Sequence, residues 1–335
     1  MENEMTMPEQ NAGAPQEKPR KILKRETKLK IFVSIMVVFP ILHFLIFYVY
    51  MHIESILLAF QRYIPRADGT GFDISFAGFD NFKNVLGYFL ETTEGYSNLV
   101  YVRNSLLYFF LKMFVGFAVS LFFAYYCYKK FLFAGFFRVI LFLPNLISSI
   151  LMVILYEYMV EDVFIFIFDL EQGMIGNPKT RLGTLIFFNL WLGFAGQILM
   201  LTSAMSGINE SLVESAQLDG CNPIKEFWHI TLPMIFPTFL TMLIGGMAAM
   251  FTDQMSLYTF YQYSAQPEIS TVGYFMYCRT LLAGGHVEYI PNTGANPLYF
   301  TYGQLAALGL CISLVTTPTI LVTKKLLEKY GPNTN

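Results

Sequence analysis

Six long apolar runs, separated by polar segments, set the plan of the chain. The first covers residues 31–58, and no Asp, Glu, Lys or Arg occurs in 31–53, enough for the ~20 residues a bilayer crossing needs. Runs at 104–128, 138–160, 182–205, 234–252 and 300–323 predict five further spans. The expected fold class is an all-α integral membrane protein with six transmembrane helices. Pro40 and Pro318 fall inside the first and last spans and predict kinks there. Gly245, Gly246, Ala248 and Ala249 in the fifth span, and Gly303, Ala306, Ala307 and Gly309 in the sixth, are small residues that let helices approach closely in lipid. A pore lining is the alternative reading of the same residues. The first run is too long for a signal-peptide core and no small-residue cleavage site follows it, so it is expected to remain in the mature protein.

The polar interruption Ser206–Pro233 does not read as a slack linker. Ser211 and Glu214 have capping-box spacing, and Gly220 suits the left-handed residue that ends a helix. Asn222-Pro223 suits the cap and first position of a second helix. Ile224, Phe227, Trp228 and Thr231 recur at steps of three and four, which predicts one apolar face. Pro233 fits the first turn of the following span. The expectation is a rigid pair of short helices on the membrane surface, a docking element.

Composition agrees with a membrane protein: 55% of residues are hydrophobic and 14% charged, with 34 Phe and 21 Tyr, against roughly a quarter charged in soluble chains. Residues 1–17 are polar and predicted to be disordered, and 18–30 carry seven Lys or Arg, an anchor at the cytoplasmic face rather than a nucleic-acid arm. With both ends in the cytoplasm, that side holds fourteen Lys or Arg and the other seven. The excess predicts an ends-in topology and places 206–233 in the cytoplasm. The segments are then a cytoplasmic arm (1–30), the first span (31–58), an outer loop (59–103), a five-span core (104–325) and a cytoplasmic tail (326–335). The cysteines Cys127, Cys221, Cys278 and Cys311 and the histidines His43, His52, His229 and His286 are scattered, with neither disulfide nor metal-ligand spacing. No G-x-x-x-x-G-K-[ST] phosphate loop occurs. Lys112, Glu157 and Asp253 are charges within or bordering spans, functional candidates by position. Lys112 is the stronger substrate-path candidate and Asp253 the second. For Glu157 and Asp253, snorkelling to the interface is the competing reading.

Glu214-Ser215-Ala216, three residues, Gly220, nine residues, then Ile230-Thr231-Leu232-Pro233 resembles the EAA loop of permease subunits of ABC importers. Ser215 is the one departure, standing where that family has alanine. Asp219 beside Gly220 resembles the common DG form of the motif. Phe76-Ala77-Gly78-Phe79-Asp80-Asn81-Phe82 and the Phe137-Arg138…Leu143-Pro144 opening are similar to segments of the carbohydrate-uptake branch, whereas Tyr258–Glu268 lacks the Gly-Gly-Pro found there in many sugar permeases.

The resemblance implies a type I importer permease of the MetI-like fold. Half of a pore for a sugar, oligosaccharide or sugar derivative would come from this chain. It implies a second permease, two ATPase subunits and an extracytoplasmic solute-binding protein as partners, besides membrane lipid. ATP and Mg would sit on the partner ATPase, with no cofactor bound here and no catalytic role. Glu214, Ser215, Ala216, Asp219, Gly220, Ile230, Leu232 and Pro233 would form the ATPase-coupling loop, with Glu214 pairing to a basic group and Asp219 holding the bend. Ile224, Phe227 and Trp228 would pack either under the loop or against the ATPase. The rival expectation is an ATP-independent carrier or channel for a small polar solute, which would more naturally carry paired broken helices and buried carboxylates in two matching halves.

Overall fold

The computed structural model describes residues 25–65, 72–93, 95–283 and 301–332. Expectations for residues 1–24, 284–300 and 333–335 lie outside the described residues. The chain divides into two compact units, Met1–Glu54 and Ser55–Asn335. The described part of the first is apolar helix, the start of α1 (Thr27–Leu58), which passes Pro40 and takes a π-turn at Leu45–Tyr50.

In the second unit, a hairpin of β1 (Gln61–Pro65) and β2 (Phe72–Phe76) precedes α2 (Asp80–Leu90), and the short pair β3 (Thr92–Thr93) and β4 (Tyr96–Ser97) leads into α3 (Leu99–Tyr128). Next come α4 (Ala134–Leu146), α5 (Ser149–Phe168) and α6 (Pro178–Ser206). The loop helices are α7 (Glu210–Leu218) and α8 (Pro223–Met234). After them run α9 (Phe236–Ala249), α10 (Leu257–Tyr261), α11 (Val272–Ala283) and α12 (Tyr302–Tyr330). Among the described residues, α1, α3, α6 and α12 are each long and apolar enough to cross a membrane, and two bent pairs raise the number to as many as six.

The bent pairs correct two expectations. The third span is not one helix over 138–160: α4 and α5 meet at 106°. Pro144 lacks the N–H for a helical bond, Ile147 is extended, and Ser148 starts a new helix by accepting from the Leu151 N–H at 3.4 Å. Pro233 does not open the fifth span either. It lies in the last turn of α8, and the chain bends by 62° before α9, where Pro237 occupies the first turn. Helix α12 continues through Pro318 unbroken to Tyr330. Its start is a capping box of Thr301 with Gln304.

The small-residue pattern divides. A methyl on Gly246 would meet Met113 Sδ at 3.0 Å, so α9 packs closely on α3, whereas Gly245 has open space. Gly303 is closer still: a Cβ there would lie 2.2 Å from the Gln61 carbonyl oxygen. Beside it, buried Asn81 donates to the carbonyls of Ala59 at 2.9 Å and Gln61 at 2.8 Å. The Asn of the Phe76–Phe82 motif therefore closes the chain where it leaves α1, and its Gly78 takes a left-handed turn at φ 53°. This motif is architectural.

An orphaned buried carbonyl costs about 1–3 kcal/mol, and Gly303→Ala drives Cβ into main chain. Both Asn81→Leu and Gly303→Ala are expected to lower the thermal unfolding midpoint in detergent by several degrees, while Gly245→Ala leaves it unchanged. Intrinsic tryptophan fluorescence during a thermal ramp checks this.

Candidate functional site

The 206–233 loop is built from three local devices. Asn209, not Ser211, caps α7: its Oδ1 accepts from the Ser211 N–H at 3.1 Å and from Ser211 Oγ at 2.9 Å. The Ser211/Glu214 capping box is therefore replaced by an Asx cap two residues earlier, and Glu214 is exposed. At the other end, the Gly220 N–H bonds to Gln217 O at 3.0 Å and the Cys221 N–H to Ala216 O at 3.0 Å. Those are the paired bonds of a Schellman turn, with Gly220 at φ 77°. The four-residue step from Ala216 to Gly220 is thus the step from the last bonded carbonyls to the left-handed residue. An L side chain there costs about 1–2 kcal/mol. Main-chain bonds close this turn, and none of the described bonds comes from the exposed Asp219 carboxylate. Asn222 caps α8 by accepting from the Lys225 N–H at 2.8 Å, with Pro223 in the first turn.

Packing fixes which faces remain outside. Val213 and Ile208, with Ile230 and Ile235, join a cluster with Phe117, Ile198, Leu201 and Met205 from α3 and α6. Leu232 and Pro233 are half-buried. Glu214 and Ser215 face outward, Ser215 Oγ bonding back to Ser211 O at 2.8 Å, and Ala216 is half-buried. Four large apolar side chains stay exposed on this polar segment, Leu212 and, most fully, Leu218 at 89%, Ile224 at 70% and Trp228 at 59%.

The inward face of α8 differs from the one its periodicity predicts. Glu226 and Thr231 are buried and Phe227 and Ile230 half-buried, while Ile224 and Trp228 point out. Glu226 is held by Lys129, Nζ to Oε1 2.5 Å. Tyr125 Oη donates to the Pro223 carbonyl at 2.7 Å, and its ring meets Phe227 edge to face at 4.9 Å. A carboxylate on a nominally polar position gives no local sign of its partner, because Lys129 lies at the end of another span.

Lys112 and Asp253, the two substrate-path candidates, are brought together. Their side chains pair at 3.0 Å and remain 32% and 26% exposed. Lys112 also lies over the Tyr108 ring at 5.3 Å, and Asp253 Oδ1 accepts from the Met255 N–H at 3.0 Å. From Lys112 to Tyr128, α3 rises about 24 Å, so this pair and the loop are far apart along one helix. Around Asp253, polar side chains hold the turn into α11. Asn104 donates to the carbonyls of Glu268 and Ser270, and Asn189 to that of Met255. Glu157, the third charge, is exposed and pairs with neither of the other two.

Both ion pairs adjoin π-turns, Lys112–Gly116 and Phe227–Thr231, the local over-wide turns that often mark functional positions in helices. They differ in strength. A fully solvated pair is worth ~0–1 kcal/mol, and Lys112–Asp253, with side chains 32% and 26% exposed, lies nearer that limit than Glu226–Lys129 does. Removing one partner of a buried pair costs roughly 3–5 kcal/mol, so Glu226–Lys129 is the costlier of the two to separate.

Residues 116–329 match the family described as the binding-protein-dependent transport system inner membrane component. The arabinooligosaccharides transport system permease protein AraP of Bacillus subtilis (strain 168) is 26% identical over 302 residues, 87% of this chain and 86% of that protein. The probable ABC transporter permease protein MG188 of Mycoplasma genitalium is 32% identical over 168 residues, 44% of this chain, so the chain spans about half, 48%, of that relative's length. The sn-glycerol-3-phosphate transport system permease protein UgpA of Escherichia coli O6:K15:H31 (strain 536 / UPEC) is 26% identical over 203 residues, covering 57% of this chain and 64% of its own. In fold, the chain is similar to one from a bacterial ABC transporter involved in the import of the acidic polysaccharide alginate, with TM-score 0.67 and 19% identity over 91% of this chain and 98% of that one. A chain of the bacterial alginate ABC transporter in complex with alginate pentasaccharide-bound periplasmic protein gives TM-score 0.66 at 20% identity, over 91% and 96%. The family resemblance read from the Glu214–Pro233 spacing is borne out, and this chain belongs to the binding-protein-dependent transport system inner membrane component family.

Proposed function

We propose that this chain is the permease subunit of an ATP-driven importer and forms half of a pore for a sugar, oligosaccharide or sugar derivative. The observation that carries the reading is the 206–233 loop: a rigidly capped pair of helices, seated on α3 and α6, with Leu218, Ile224 and Trp228 left outward. Outward apolar side chains on a rigid loop suit a cleft in a separate ATPase, with exposed Glu214 one turn before Leu218 for a basic group. ATP and Mg belong to that partner.

In this reading the chain crosses a bacterial plasma membrane six times, with the two bent pairs supplying the third and fifth spans and both termini in the cytoplasm. The excess of Lys and Arg on that side supports the orientation. A second permease completes the pore, two ATPases grip the two loops, and an extracytoplasmic binding protein delivers solute to the opposite face. The substrate class rests on the relatives, whose names concern arabinooligosaccharides, sn-glycerol-3-phosphate and alginate.

The mechanism follows from what is stiff and what is weak. Closure of the ATPases moves each loop as a body, and the helices it is seated on follow, which biases the pore between two facing states. Lys112 lies midway along α3 and pairs with Asp253 in the solute path, and this partly exposed pair separates and closes as the pore changes state.

Leu218→Asp is expected to abolish co-purification of the ATPase from native membranes without changing the thermal midpoint of the chain itself, because Leu218 contributes little to its packing. Retention of the ATPase at the unmodified level contradicts the docking assignment. For the path, Lys112→Asp and Asp253→Lys are each expected to reduce uptake about tenfold, and the exchanged double variant to recover most of it. Uptake of labelled solute by cells carrying each variant checks this.

A further inference from the structure

We infer that Glu226 and Lys129 are positioning residues that transmit movement of the cytoplasmic loop into the second apolar span, α3. The inference deepens the importer reading and rests on it. Glu226 is 1% exposed, a buried carboxylate in a loop whose other charged side chains are exposed. Its side chain lies 2.5 Å from Lys129 Nζ, itself 15% exposed and stationed one residue past the end of α3. Lys129 also lies over the Tyr128 ring at 5.6 Å. Two further contacts bind the same two elements: Tyr125 Oη to Pro223 O, and the Tyr125 ring to Phe227.

The first turn of α8 is thus joined to the last turn of α3 by a charge pair, a hydrogen bond and a ring contact. Immediately beyond Glu226 the helix widens into the π-turn Phe227–Thr231, and after Met234 it bends by 62° into α9. Both helices carry a π-turn, but a push on α7 and α8 reaches α9 only across this 62° bend, which is not a straight rigid connection. It reaches α3 through a buried ionic contact. Because α3 also carries Lys112 at the start of its own π-turn, one continuous helix connects the loop clamp with the Lys112–Asp253 pair. The clamp makes α3 the stiffer of the two routes.

The test is made on the assembled complex in proteoliposomes, reading ATPase co-purification, ATP hydrolysis and solute uptake in that order. Glu226→Gln is expected to keep the ATPase bound and hydrolysing while uptake per ATP falls about tenfold, and the exchange Glu226→Lys with Lys129→Glu to recover uptake to within roughly threefold. Lys129→Met, which alters the more accessible partner, repeats the loss and keeps the question answerable should Glu226→Gln fail to assemble. Lys129→Arg is expected to retain uptake. Uptake per ATP unchanged in both single neutral variants overturns the inference. So does equal loss in the single and exchanged variants, which marks the pair as packing alone. Failure of the unmodified chain to bring down an ATPase overturns the importer reading instead, and the two failures are thereby distinct.

Discussion

A backbone that passes between lipid and water has to satisfy its own N–H and C=O groups wherever it turns, and this constraint shapes the loop on which the account depends. Between Ser206 and Pro233 the chain ends one long helix and makes two short ones within 28 residues. Asn209, the Schellman bonds around Gly220 and Asn222 close both ends of α7 and the start of α8 locally. A segment that is self-sufficient in hydrogen bonds can leave apolar side chains outward without losing its shape. That combination makes Leu218, Ile224 and Trp228 a fixed surface rather than a mobile one.

The spacing of the EAA-like motif acquires a physical meaning from these bonds. Ala216 supplies the outer carbonyl of a Schellman turn and Gly220 its left-handed residue, so their separation is set by helix-termination geometry. Glu214 and Ser215 lie one turn earlier on the outward side, and Ile230 is drawn toward the cluster under the loop. The Ser215 departure is accommodated because its hydroxyl folds back on the Ser211 carbonyl. In the same way, Asn81 explains the Phe76–Phe82 motif as a clasp on the exit from α1, with no solute in the argument.

Much of the helical plan was legible because a bilayer-length apolar run has few other readings, and the caps at Gly220 and Asn222-Pro223 were legible because each acts on its own neighbours. Less visible was whatever depends on a distant partner. Glu226 sits on a position that periodicity assigns to solvent, and only the end of α3 gives it a reason to be buried. Lys112 and Asp253 were each picked out by depth, but their pairing across 141 residues carries no sequence signal. The break at Ile147–Ser148 was masked because a run of bilayer length outweighed the local Pro144-Asn145 and Ser148-Ser149, and Pro144 was read through the family pattern rather than as a helix terminator. Pro233 misled in the opposite sense, since its preference for a first turn is also met in a short continuation after a π-turn.

Seen together, the two ion pairs divide the work of one helix. The buried pair keeps α3 attached to the loop, and the half-solvated pair marks where the other part of α3 meets the turn after α9. The central claim, that this chain is one half of an ATP-driven pore, is tested most directly by native mass spectrometry of the tagged full-length chain extracted from its own membrane in mild detergent. The account predicts a particle containing one copy of this chain, one different permease and two ATPase subunits. A particle containing this chain alone, stable and free of any ATPase, contradicts it.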